Sequence, residues 1–131
     1  MPSIQIDLPL DVPAPAKQEL AGRVGKIYAD LMKVNADLLT VSVHDLGQGG
    51  VWRCHEDGPP TPSALIMCDI RSGRPRETRA ALAQSLIDAC AGLLPLDTLW
   101  IKVEFTQHSG DEMYHPHLGG FNKDWTSDER D

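Results

Sequence analysis

Ile4, Ile6 and Leu8 alternate with Ser3, Gln5 and Asp7, and Pro9 ends the run. A period of two marks a strand with one buried face, because successive side chains point to opposite sides of a sheet. From residue 15 the period lengthens. Leu20, Val24, Ile27 and Leu31, with Tyr28 beside them, fall on one side of a helix reaching to about residue 33, and Pro15 suits its first turn. After a polar turn over residues 35–37, Leu39, Val41 and Val43 alternate again. The first third of the chain thus predicts one β-α-β unit.

The same order returns after a stretch rich in Gly and Pro. Residues 64–71 (ALIMCDIR) predict a strand, residues 75–91 a helix with Gly92 as its C-cap, and Leu99, Ile101 and Val103 a second strand. Setting ADLLTV at 36–41 over LDTLWI at 96–101 pairs Asp37, Leu39 and Val41 with Asp97, Leu99 and Ile101, a spacing of sixty residues. A β-α-β crossover joins parallel strands and leaves its helix on one face. Two copies predict an α/β (α+β) fold: two tandem β-α-β units forming a four-stranded sheet with two helices on one face. The open edges and second face of such a sheet call for association with further copies. One domain of 131 residues is divided into unit one at 2–46, a breaker-rich loop at 47–63, unit two at 64–106 and a polar C-terminal arm, a mobile tail or an oligomer contact, at 107–131.

Composition narrows the function. Twelve Lys and Arg against nineteen Asp and Glu give a formal net charge of -7, which argues against gripping phosphate backbones, so no nucleic-acid partner is expected. Residues 1–10 carry neither a basic n-region nor a continuous apolar run, so no signal peptide or membrane span is expected and the chain reads as cytoplasmic. Cys54, Cys68 and Cys90 form no CxxC, and two of them lie in apolar stretches, as reduced packing thiols would. His108, His115 and His117, with Cys54, His55, Glu56 and Asp57, match none of the usual zinc spacings, so no metal or other cofactor is expected.

Two features carry candidate chemistry. Removal of Met1 ahead of the small residue Pro2 would leave a secondary amine at the start of the first strand. An α-amino group has a reference pKa of about 7.7–8.0, lowered by burial or by nearby cations, and can then act as a general base. IRSGR at 70–74 puts Arg71 at a strand end and Arg74 near a helix start, where both can face one carboxylate together with the free N–H groups of the first turn. Taken singly, each has a plain reading: a common second residue, and a solvated basic turn that also holds Arg76 and Arg79.

Together, an N-terminal MetPro opening a strand, two β-α-β units and an arginine pair where the second unit's strand meets its helix resemble the tautomerase superfamily over nearly the whole chain. IRSGR followed by a helix, then LWIKV at 99–103 and WTSDER at 125–130, resembles the cis-3-chloroacrylic acid dehalogenase group; RPR at 74–76, with Arg76, is similar to malonate semialdehyde decarboxylase. The resemblance implies a homotrimer, Pro2 as general base or acid, and Arg71 and Arg74 holding a small carboxylate substrate. Tyr28 stands where the dehalogenase has a first-helix histidine, and Lys102 where it has a last-strand tyrosine. Its water-activating glutamate falls in the stretch holding Asp111 and Glu112. Asp37 is the counterpart of the decarboxylase aspartate if a one-residue gap is allowed; its other reading is a turn residue echoed by Asp97. Keto-enol tautomerisation of small 2-oxo or unsaturated carboxylic acids asks least of these residues. Hydration, dehalogenation or decarboxylation of three-carbon acids is the alternative, as is a non-catalytic trimeric binding protein if Met1 is retained.

Overall fold

In the computed structural model, residues 2–121 are described. Strand β1 (Ser3–Leu8) buries Ile4, Ile6 and Leu8 completely, as the alternation requires. Helix α1 (Ala14–Met32) carries Pro15 in its first turn and buries Leu20, Val24, Tyr28 and Met32 at four-residue spacing. It ends on Lys33, a left-handed residue (φ 56°) whose N–H reaches the Ala29 carbonyl. A 3₁₀ turn (Ala36–Leu38), capped by the Asn35 side chain, leads into β2 (Thr40–Asp45), which runs parallel to β1.

Residues 47–63 are a loosely paired excursion. Strand β3 (Trp52–Arg53) meets β4 (Thr61–Pro62) antiparallel, below a tight turn where a Cβ on Gly50 would sit 2.4 Å from that of Leu46. Strand β5 (Ala64–Arg71) buries Ala64, Ile66, Cys68 and Ile70, helix α2 (Arg76–Leu93) buries Leu82, Leu86, Ala89 and Cys90, and β6 (Ile101–His108) lies parallel to β5. The two units join through an antiparallel β1–β5 pair, giving the order β2-β1-β5-β6. Helices α1 and α2 touch one another over a core that also takes in Val41, Val43, Val103 and Phe105 from the edge strands.

Several expectations need correction. Gly92 does not cap α2. The helix runs through it to Leu93 and stops because Pro95 holds Leu94 extended (φ -127°, ψ 155°). Leu99 is not a strand residue: it lies in a 3₁₀ turn (Thr98–Trp100) and is 80 % exposed. The repeat spacing is sixty-two rather than sixty, since Asn35 and Asp97 cap equivalent 3₁₀ turns and Leu20, Val24, Tyr28 and Met32 match Leu82, Leu86, Cys90 and Leu94. Asp97 therefore echoes Asn35, not Asp37.

The second sheet face is mixed rather than uniformly apolar, because alternation places Ser3, Gln5, Asp7, Asp69 and Thr106 on it together with Leu65 and Met67. His44 Nδ1 lies 2.7 Å from Asp7 across the strands there. Beyond β6, β7 (Tyr114–His115) and β8 (Gly120–Phe121) pair as a short hairpin braced by an edge-to-face contact of Tyr114 and Phe121. The WTSDER segment lies outside the described residues.

Candidate active site

Strand β1 runs antiparallel to β5, so the start of one adjoins the end of the other. Pro2 is held beside that junction by its own carbonyl, which accepts from the Thr40 N–H at 3.2 Å. Arg71 ends β5, and the Ser72 N–H donates to the His108 carbonyl at 2.7 Å, extending the pairing with β6 by one rung. Gly73 (φ 109°) then turns the chain in a conformation open to glycine, and Arg74 follows with only 6 % of its surface exposed. Tyr28 reaches the same place from the third turn of buried residues on α1 and is 2 % exposed.

Pro2, Tyr28, Arg71 and Arg74 line one cavity of about 60 Å³. Its other described wall residues are Val34, Leu38, Gly110 and Met113. No carboxylate is among these residues. Burial pushes the Tyr28 phenol up to about 12 against the opposing pull of Arg74, with Cys68 adding to the rise and Arg71 opposing it. The phenol is therefore a neutral hydroxyl at ordinary pH. Burial likewise pushes the Cys68 thiol up to about 12 and that of Cys90 up to about 11, which makes both packing groups rather than nucleophiles.

The other sequence candidates stand outside the cavity. Asp37 is exposed on the 3₁₀ turn, its N–H donating to Asn35 Oδ1, while its neighbour Leu38 faces the cavity. Arg76 is exposed at the first position of α2. Glu112 is exposed in the turn after β6, between the cavity residues Gly110 and Met113. Lys102, exposed and 3.4 Å from Glu104, lines a different cleft of about 500 Å³ at the far end of β5, with Trp52, Trp100 and Ser63. Sequence reasoning missed Val34, Leu38, Gly110 and Met113. The two aliphatic residues look like ordinary core positions, and nothing periodic marks the turn at 109–113.

The sixty-two-residue repeat gives the opposite end of the sheet an equivalent set of positions. There Ala64 stands for Pro2, Pro9 for Arg71, Val12 for Arg74 and Cys90 for Tyr28, so the second end has no base and no cation at these positions. Among the described residues no three His, Cys, Asp or Glu side chains are grouped to hold a metal, and no helix is long and apolar enough to cross a membrane.

No protein-family model matches the sequence, and no curated protein does. Solved structures share its fold. A crystal structure of Pt0534 inactivated by 2-oxo-3-pentynoate superposes with a TM-score of 0.74 at 18 % identity, over 91 % of this chain and 94 % of that one. N1, a member of the cis-3-chloroacrylic acid dehalogenase family, gives 0.74 at 20 % identity, over 86 % of this chain and 79 % of that one. The symmetric trimer of the fused 4-OT called Q0 gives 0.73 at 18 % identity, over 86 % of this chain and 90 % of that one. The fold is that of tautomerase-superfamily structures.

Proposed function

We propose that this chain is a tautomerase-superfamily enzyme that, after loss of Met1, uses the Pro2 amine to move a proton on a small 2-oxo or unsaturated carboxylic acid held by Arg71 and Arg74. The observation that carries this reading is the convergence of Pro2 and of the Arg71 and Arg74 pair on one cavity from two separated stretches of sequence. Two guanidiniums facing the same space hold a carboxylate and disfavour protonation of the amine, which keeps its lone pair available near neutral pH. The neighbours agree in kind: one was inactivated by a 2-oxo acid and another belongs to a family named for a three-carbon acid.

Tautomerisation is preferred to dehalogenation or decarboxylation because it asks for no carboxylate beside Pro2 and the arginines, and among the described residues none lines the cavity. Glu112 and Asp37 are exposed, each beside a cavity residue, Met113 and Leu38. The functional unit is proposed to be a homotrimer, in keeping with the fused 4-OT neighbour. The test is exchange of the C3 protons of short 2-oxo acids into heavy water, followed by nuclear magnetic resonance beside ultraviolet assays with 2-hydroxymuconate and halide release from 3-haloacrylates. Catalysed exchange with no halide release supports the reading; halide release alone moves the chain to the alternative chemistry.

A further inference from the structure

Tyr28 is placed differently from every other buried apolar or aromatic residue on α1. Leu20, Val24 and Met32 fill the core, whereas Tyr28 also faces the cavity, among the two arginines and Pro2. Its hydroxyl has no hydrogen bond to any described residue, although the side chain is almost wholly buried. A phenol buried for packing alone usually finds a partner for its O–H. We infer that Tyr28 is the hydrogen-bond donor to the 2-oxygen of the substrate, stabilising the enolate that forms when Pro2 takes the C3 proton. The inference rests on the reading above that the cavity takes 2-oxo acids.

The step balances within the residues present. The Pro2 nitrogen accepts the proton from C3, the C–H pair becomes the C2–C3 π bond, and the carbonyl π pair moves onto the 2-oxygen. The Tyr28 O–H donates to that oxygen without giving up its proton, since a phenol whose ionisation is pushed up by burial stays neutral while it donates. Return of the proton from Pro2 to C3, or to a conjugated carbon, restores the carbonyl. The carboxylate stays on Arg71 and Arg74 throughout. Val34, Leu38 and Met113 are left for a short hydrocarbon tail.

The test compares wild type with Tyr28→Phe. Three ligands are used: a short 2-oxo acid as substrate, oxalate as a mimic of the planar enolate, and butyrate as a carboxylate with no 2-oxygen. Because the hydroxyl has no described protein partner to orphan, the variant should melt no lower than wild type. Removing one preorganised donor to a developing oxyanion lowers kcat by on the order of 10²–10³-fold, so kcat should fall by that factor with KM little changed. Oxalate should bind at least about tenfold more weakly and butyrate equally well. Unchanged kcat and oxalate affinity would overturn the inference, as would equal weakening of oxalate and butyrate, which would make Tyr28 a support for the arginines. The binding arm needs no turnover. If wild type turns over no 2-oxo acid, the proposed reaction fails on its own, while the oxalate and butyrate affinities still decide the role of Tyr28.

Discussion

Arg71 and Arg74 share a cavity but not an environment, and the difference sets what their loss should do. Arg71, half-buried at the strand end, can be shortened with little cost to packing, so Arg71→Ala should weaken a carboxylate ligand by about 1.5–3 kcal/mol, roughly ten- to a hundredfold, and leave the melting temperature nearly unchanged. Arg74→Ala should weaken the ligand similarly and also destabilise the fold, because its side chain is buried. Calorimetric titration with butyrate and thermal melts of both variants separate the two effects. Tyr28, Cys68 and Cys90 make a second prediction: each ionises less readily in the fold than in the open chain, so the stability they contribute is complete below the ordinary thiol range near 9 and is lost as pH rises through about 11–12. Unfolding midpoints should fall steadily above pH 9; a flat profile from there to pH 11 would contradict the burial of these groups. Pro2, Arg71 and Arg74 were legible in the sequence because strand ends and a strand–helix turn fix them locally, whereas Tyr28 entered only through the resemblance to the dehalogenase's first-helix histidine. The other half of the cavity wall was not, since Leu38 and Met113 acquire their role only when distant turns meet.

Helix α2 shows how a local signal can mislead. Glycine after a periodic run ordinarily marks a C-cap, but here the tertiary contacts of Leu93 and Leu94 carry the helix past Gly92, and Pro95 ends it. Gly92 then sits in a helix interior with nothing within 4 Å of a would-be Cβ. Gly92→Ala should raise stability by about 0.5–1 kcal/mol in denaturant melts. A loss of that size would mean that the residue is a left-handed cap after all. The repeat was visible as an order of elements, yet its register came out two residues short because DLL at 37–39 and DTL at 97–99 look alike while serving different positions. The matching burial of Tyr28 and Cys90, or Met32 and Leu94, corrects it.

Neither the antiparallel joining of the two units nor the strand order could be read from periodicity, which reports faces and not neighbours. Both matter to function, for the β1–β5 pairing is what brings Pro2 to the arginines. The expected association also changes its basis. The open sheet face is mixed, with Leu65 and Met67 among polar residues, so the demand for partners comes also from the edges, β2 and β6, and from exposed Leu46, Trp52, Leu99 and Trp100. Sedimentation at micromolar concentration should show a trimer, and a stable monomer would contradict the proposed assembly. The central claim is that a free Pro2 amine does the chemistry, and the most direct measurement compares turnover of one short 2-oxo acid by chains with and without Met1, each verified by intact mass. A general base contributes about 10²–10⁴-fold in rate. The processed chain should exceed the Met1-bearing chain by a factor in that range, with an ascending pH limb that the Met1-bearing chain lacks; equal rates would contradict the amine mechanism.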